Sequence, residues 1–94
     1  MKYSIITATK NVEDQIENTI NSVFSQKDVS LEYIIVDSVS TDRTLKIIQH
    51  YRKSYPIKFI SEPDEGIADA FNKGIKLSSG EWIIFLGARE ISIF

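Results

Sequence analysis

Carboxylate and hydroxyl side chains follow four short apolar runs of this chain, at the points where those runs end. A carboxylate can accept two hydrogen bonds at once, for example from the hydroxyl pair of a ribose. The pattern therefore indicates a site for a polar ligand that carries hydroxyl groups. The positions are Thr7 to Asn11 after the first run, Asp37 and Asp42 after the second, Glu62, Asp64 and Glu65 after the third, and Glu90 after the fourth.

Helix capping competes with ligand binding at these positions, because aspartate, serine and threonine are the usual N-cap residues. Thr41 and Asp42 stand directly before a helical pattern, which favours capping for both. Asp37 ends an apolar run several residues earlier and cannot cap the first turn of that helix in the usual way. We therefore predict that Asp37 contacts the ligand.

The turn after the first apolar run lacks the glycines of the common phosphate-binding loops. It reads Ala8-Thr9-Lys10-Asn11, and the glycines of the chain stand at positions 66, 74, 80 and 87. Neither G-x-G-x-x-G nor a Walker sequence is present. The sequence therefore disfavours a dinucleotide-dependent oxidoreductase, although a nucleotide can bind without a glycine-rich loop.

The sequence gives little support for catalysis by a cysteine or a histidine. The chain has no cysteine, which excludes disulfides, zinc–thiolate sites and thiol nucleophiles. His50, the only histidine, falls on the second predicted helix, away from the strand ends. We predict a surface position for it rather than a role as a base.

Four predicted strands alternate with three predicted helices and place the polar residues together. This order, without a hairpin signal, predicts right-handed crossovers, a mostly parallel sheet and an α/β fold with three α/β/α layers. In such a sheet the ligand crevice lies outside the carboxyl ends of the strands. The predicted strands are 4–9, 32–37, 57–60 and 82–86; the helices are 12–26 with Asn11 as N-cap, a second capped by Ser40 or Thr41, and a third from Ile67 that Gly80 closes.

Composition limits the chain to one domain and narrows its partners. It has 94 residues, 43% hydrophobic and 26% charged, with a formal net charge of −2. Neither charge sign forms a long run, so we predict no nucleic-acid partner. No apolar stretch approaches the roughly 20 residues of a membrane helix, so we expect no direct membrane segment in these residues. A cytoplasmic location is compatible, with the cytoplasmic membrane face as the alternative for a longer parent.

Several ordered motifs together resemble the N-terminal, nucleotide-sugar-binding part of inverting family-2 glycosyltransferases of the GT-A fold. They cover nearly the whole chain, and their combination is far more specific than any one of them. The motifs are residues 4–11, 16–26, 36–44, the segment 62–75 that reads Glu-Pro-Asp-Glu-Gly-Ile-Ala-Asp-Ala-Phe-Asn-Lys-Gly-Ile, and residues 79–86.

The resemblance implies a donor site for a nucleotide diphosphate sugar, commonly a UDP-sugar, at the carboxyl end of the sheet. By the family pattern, Thr7, Thr9 and Asp37 belong to the nucleoside site, and Asp69 and Lys73 lie against the nucleotide sugar. The alternative for Asp69 and Lys73 is an exposed pair of charges four residues apart on a helix.

The chain departs from the family pattern after the fourth strand. There the resemblance implies an Asp-x-Asp motif that holds Mg²⁺ or Mn²⁺, but the sequence reads Leu86-Gly87-Ala88-Arg89-Glu90. Glu90 is the one candidate metal ligand at this motif, so we expect weak metal binding. Arg89 is predicted to pair with diphosphate oxygens. A solvated position is the alternative for Glu90.

The resemblance also implies an acceptor-binding half with a general base, which nothing after Glu90 supplies. We therefore expect residues 1–94 to form one truncated nucleotide-sugar-binding domain of a glycosyltransferase. A non-catalytic nucleotide-binding or assembly module derived from such an enzyme is the alternative. The apolar segments 82–86 and 91–94 further predict a possible homodimer through the C-terminal strand edge.

Overall fold

A computed structural model describes residues 2–26 and 29–87, and every predicted strand and helix is present in it. The boundaries differ from the predicted ones mainly at the helix ends. The elements are β1 (Lys2–Thr9), α1 (Ile16–Phe24), β2 (Ser30–Asp37), α2 (Thr44–Arg52), β3 (Ile57–Ser61), α3 (Ile67–Leu77) and β4 (Trp82–Phe85).

The four strands form one parallel sheet in the order β3-β2-β1-β4. The register aligns three strand ends, since Thr9 lies opposite Asp37 and Asp37 lies opposite Ser61. The predicted α/β fold with a parallel sheet is therefore confirmed. The alignment brings the side chains that follow β1, β2 and β3 to one end of the molecule.

Each face of the sheet carries its own apolar core, because β1 and β2 are buried on both sides. On one face α1 and α2 contribute Ile16, Ile20, Val23 and Ile48 to a cluster centred on the fully buried Tyr33. On the other face α3 packs Ala70 against Ile6, Ile34 and Val36. The three layers predicted from the alternation of elements are thus present.

Gly74 allows α3 to lie unusually close to β1. A Cβ atom added at this position would stand 2.5 Å from Cγ2 of Ile6, which is closer than real side chains approach each other. The distance between α3 and the sheet, and hence the position of the residues at the start of α3, depends on this glycine.

At the amino end of the sheet, opposite the aligned strand ends, Glu32 is a buried carboxylate with 8% exposure. It forms ion pairs with Lys2 Nζ at 3.2 Å and Lys58 Nζ at 3.3 Å, and it accepts hydrogen bonds from the backbone N–H and hydroxyl of Ser79. Burial alone would raise the pKa of Glu32, but the bonds from Ser79, Lys2 and Lys58 outweigh it and lower the pKa from 4.5 to about 2. This cluster joins the first three strands to the turn before β4.

No helix in the described ranges has the length and hydrophobicity that a bilayer-spanning helix needs.

Candidate functional site

A cleft of about 300 Å³ opens at the carboxyl end of the sheet, between β1, β2 and the start of α3. The strand order reverses direction at β1, since β2 and β3 lie on one side of it and β4 on the other. Open parallel sheets bind their ligands at such a reversal. The residues that line the cleft are Ala8, Thr9, Lys10, Ser38, Asp64, Gly66, Ile67 and Ala70.

Asp37 is fully buried beside this cleft and orders the turn that follows β2. Its Oδ1 accepts hydrogen bonds from the Thr9 and Ser40 hydroxyls, each at 2.5 Å. Its Oδ2 accepts from the Ser40 backbone N–H at 2.8 Å and from the Ser61 hydroxyl at 2.9 Å. The carboxylate therefore lies at the carboxyl end of the sheet, but its bonds are to protein groups. Direct contact with a ligand stays a prediction and requires one of these hydroxyls to turn away.

The two threonines of β1 have different positions. Thr9 lines the cleft and is 3% exposed, so its main role is to hold Asp37. Thr7 has no exposed surface, and its hydroxyl accepts a 2.7 Å hydrogen bond from the Tyr33 hydroxyl in the core. Contact between Thr7 and the ligand stays a prediction, which the structure does not favour because the strand is still inside the core two residues before its end.

Lys10 and Ser38 complete the cleft wall beside Asp37. The Lys10 amine donates to the Ser38 carbonyl at 2.8 Å and lies 3.5 Å from the Val39 carbonyl. Lys10 and Asp64 are among the strand-end positions at which the sequence indicates a polar ligand, although it assigns neither of them a particular contact, and Ser38 is a lining residue that the sequence analysis did not name. The available signal was their place directly after a predicted strand, where polar residues carry more weight than elsewhere.

Asn11 connects the loop after β1 to the loop after β2. It has a left-handed φ of 49°, and its Oδ1 accepts from the backbone N–H groups of Thr41 at 2.7 Å and Asp42 at 3.2 Å. The prediction that Asn11 caps α1 is wrong. The N-cap residue of α1 is Gln15, because Asn11 turns its side chain toward the neighbouring loop instead.

The start of α2 is also capped differently from the prediction. The Ser40 hydroxyl donates to Asp37 and accepts from the Asn11 N–H at 2.9 Å, so Ser40 does not cap the helix. Asp42 Oδ1 accepts from the Thr44 N–H at 2.9 Å, which satisfies the first donor of α2. The N-cap residue of α2 is Arg43, which makes no side-chain cap bond, so the prediction that Ser40 or Thr41 caps this helix is wrong. Asp42 serves the first N–H of α2 from the position before the N-cap.

Asp69 and Lys73 hold the loop between β3 and α3. The Lys73 amine donates to the Pro63 carbonyl at 2.7 Å and forms ion pairs with Glu62 at 3.1 Å and Asp69 at 3.4 Å. Asp69 accepts from the Glu65 N–H at 3.0 Å, which lowers the pKa of Asp69. The Lys73 side chain is only 21% exposed. The pair is thus more than a surface helix pair, although neither side chain lines the cleft.

Gly66 places the start of α3 at the cleft. It has a left-handed φ of 122° directly before Ile67, and its N–H donates to Asp64 Oδ1 at 3.1 Å. A residue with a Cβ would be strained in this conformation. The glycine therefore fixes the direction in which α3 leaves the carboxyl end of the sheet.

The predicted metal ligand Glu90 and the predicted diphosphate partner Arg89 lie outside the described residues. Within 2–26 and 29–87, no group of three or more histidine, cysteine, aspartate or glutamate side chains is arranged to hold a metal ion. His50 is exposed on α2, so its predicted surface position is confirmed.

Known proteins of one family are similar to this chain over most of its length. The family described as Glycosyl transferase family 2 matches residues 4–88. A PGL/p-HBAD biosynthesis glycosyltransferase of Mycobacterium bovis is 35% identical over 90 residues, which cover 94% of this chain and 35% of that protein. The chain therefore spans about a third of the length of the curated relatives it matches first.

Two solved structures share the fold over most of the chain. S. aureus TarS 1–349 in complex with UDP-GlcNAc gives a TM-score of 0.85 at 32% identity, covering 94% of this chain and 26% of that one. The mannosyltransferase PcManGT from Pyrobaculum calidifontis, in complex with GDP-Man and Mn²⁺, gives a TM-score of 0.85 at 26% identity. The match covers 92% of this chain and 27% of that one.

Proposed function

This chain belongs to glycosyl transferase family 2, and we propose that the cleft at the carboxyl end of its sheet binds a nucleotide diphosphate sugar for glycosyl transfer. The observation that carries the proposal is the position of the cleft at the reversal of strand order. Hydroxyl, amine and carboxylate groups line it, as expected for a polar ligand. A UDP-sugar is the favoured donor, because the similar TarS structure is a complex with UDP-GlcNAc.

The proposed ligand extends from the turn that Asp37 orders toward the start of α3. Thr9 and Asp37 form the nucleoside end, where Asp37 keeps the turn in shape and offers a carboxylate to the ribose. Lys10 lies in the cleft wall as a cation that can approach the diphosphate. Asp69 and Lys73 act on the ligand mainly through the loop that they hold.

We propose that Mg²⁺ or Mn²⁺ binds weakly beside the diphosphate. Asp64 in the cleft and Glu90 beyond the described residues offer the hard oxygen ligands that such ions prefer. The ion would offset the negative charge of the diphosphate as it leaves. Arg89 offsets part of that negative charge by pairing its guanidinium with diphosphate oxygens. The complex of PcManGT with GDP-Man and Mn²⁺ supports a metal in this fold.

Transfer itself is assigned to the complete protein. There an acceptor hydroxyl, deprotonated by a general base, displaces the diphosphate with inversion at the sugar carbon. The residues described here bind and orient the donor for that step. A non-catalytic module with the same donor cleft is the second candidate, favoured by the arginine that stands beside Glu90 where the metal motif is expected.

We further propose a homodimer through β4. This strand lies at the edge of the sheet formed by the described residues, and Trp82 at its start is 55% exposed. An apolar groove of about 470 Å³ runs beside it on the α1 side. An edge strand with exposed apolar surface is a template for pairing with a second copy. Residues of the groove include Tyr3, Ile5, Val23, Leu31, Ile84 and Leu86.

Titration of the isotope-labelled chain with UDP tests the donor site. We expect amide shifts at Thr9, Lys10 and Ser38, and weaker UDP binding by Lys10→Ala. Lys46→Ala is the matched control, since Lys46 is an exposed lysine on α2. Shifts confined to the other end of the sheet, or no binding at millimolar nucleotide, would contradict the proposal.

A further inference from the structure

Val39 combines two unfavourable features at one position. It is a β-branched residue with a left-handed φ of 47°, and its side chain is 45% exposed. Left-handed φ values are rare for β-branched residues and cost on the order of 1–3 kcal/mol. A glycine would adopt this conformation without a Cβ clash.

The surrounding contacts fix this conformation and direct the side chain outward. Asp37 bonds both the N–H and the hydroxyl of Ser40, the next residue. On the carbonyl side, the Lys10 amine lies 2.8 Å from the Ser38 oxygen and 3.5 Å from the Val39 oxygen. Asp37 and Ser40 are 0% and 6% exposed and Ser38 is partly buried, so Val39 is the most exposed of residues 37–40.

Val39 does not itself line the cleft, but two residues next to it do. Its neighbour Ser38 and its partner Lys10 both line the cleft wall. Strained residues persist where the surrounding structure fixes them, and they concentrate at ligand sites. An exposed isopropyl group makes no favourable interaction with water, and covering it with a ligand lowers the free energy.

The chemistry of the proposed ligand identifies what covers Val39. The diphosphate and the sugar hydroxyls are strongly hydrated and require charges or hydrogen-bond donors. The nucleobase has apolar faces that an isopropyl group can contact. We propose that Val39 packs against the nucleobase of the bound nucleotide and is a specificity-determining residue, an inference that rests on the donor function proposed above.

Two substitutions separate the contact from the strain. Val39→Ala keeps a Cβ in the left-handed conformation but removes the methyl groups, whereas Val39→Gly removes both. We expect each to weaken UDP and UMP binding by about three- to tenfold, because a partly buried side chain contributes roughly 1 kcal/mol. The melting temperature of Val39→Gly should equal or exceed that of the parent, because the strain is gone. Val29→Ala is the matched control: it is 40% exposed, it precedes β2, and it should bind as the parent does.

A second readout does not depend on affinity. In a chain with labelled valine methyl groups and saturating UDP, we expect nuclear Overhauser effects between the Val39 methyls and the uracil ring protons. Three results would overturn the inference while UDP still binds the parent. They are nuclear Overhauser effects from Val39 to the ribose alone, a loss of affinity for UDP but not for UMP, and unchanged UDP affinity in Val39→Ala. If the parent binds no nucleoside diphosphate, both the proposed donor function and the inference about Val39 are wrong.

Discussion

Thr9 and Asp37 lie opposite each other at the ends of neighbouring parallel strands, and the Thr9 hydroxyl donates a 2.5 Å hydrogen bond to Asp37 Oδ1. The bond joins the end of β1 to the turn after β2. Ser61, opposite Asp37 at the end of β3, donates to the other carboxylate oxygen. One buried carboxylate thus connects three strand ends beside the cleft.

We expect Asp37→Ala to weaken UDP binding by about 1–3 kcal/mol, through loss of charge-assisted hydrogen bonds that shape the site. Calorimetric titration measures the change. Glu81→Ala, which removes an exposed carboxylate before β4, is the control and should bind UDP as the parent does. Equal affinity for Asp37→Ala and the parent would remove Asp37 from the site.

Glu32 makes the stability of the chain depend on acid pH. The pKa of Glu32 is lowered from 4.5 to about 2 in the folded state. Its contribution is therefore complete above pH 4.5 and is lost as the pH falls from 4.5 through about 2. We expect Glu32→Gln to lose on the order of 1–2 kcal/mol of unfolding free energy at neutral pH, less than the whole pKa shift corresponds to, because solvent screens the pairs with the half-exposed Lys2 and Lys58. The variant should also lack this part of the pH dependence.

Thermal unfolding across pH 2 to 7 measures this effect. Glu81→Gln serves as the control because Glu81 is exposed near the same end of the sheet. Superimposable pH profiles for the parent and Glu32→Gln would show that the cluster contributes no stability.

Gly74→Ala should destabilise the chain by about 1–3 kcal/mol, because the new methyl group would overlap Ile6 Cγ2. Helix propensity alone predicts the opposite, a gain of about 1 kcal/mol. Asn72→Ala, at an exposed position of the same helix, tests that propensity without the overlap. A melting temperature above that of the parent for Gly74→Ala would show that α3 can move away from the sheet at no cost.

Manganese is expected to improve UDP binding only slightly, because Glu90 stands beside Arg89 and repulsion from the arginine weakens a cation site. Arg89→Asp should strengthen the effect. Both residues lie outside the described ranges, so this prediction comes from the sequence. Titrations of parent and variant with and without Mn²⁺ decide it, and a hundredfold gain in the parent would contradict it.

Self-association through β4 predicts a sedimentation coefficient that rises with concentration for the full chain. Removal of residues 91–94 should reduce the association, since these apolar residues would extend the buried surface. A two-fold dimer is the commonest closed arrangement. A monomer at every concentration of the full chain would exclude the dimer.

Strand and helix types were predictable because β1 and β2 are apolar on both faces and α1 and α3 have strong helical spacing. The start of α3 at Ile67 was also predictable, but the start of α1 was not, because Asn11 accepts from backbone groups 30 and 31 residues away instead of capping its own helix. Long-range hydrogen bonds were equally unpredictable at the site. The sequence places Asp37 and Thr9 at the strand ends, but it does not show that they bond each other or that Thr7 faces Tyr33.

The bonds between the loops after β1 and β2 also determine when the cleft can form during folding. The N–H groups of Val12 and Glu13 donate to Thr44 at 2.8 Å and Asp42 at 3.3 Å, so acceptors about 30 residues away serve the region before α1. A peptide of residues 12–26 lacks these acceptors and should be poorly helical on its own. Such distant contacts form only after the loss of chain entropy that brings β1 and β2 together. Competence to bind nucleotide should therefore appear late in refolding, after most of the helical signal.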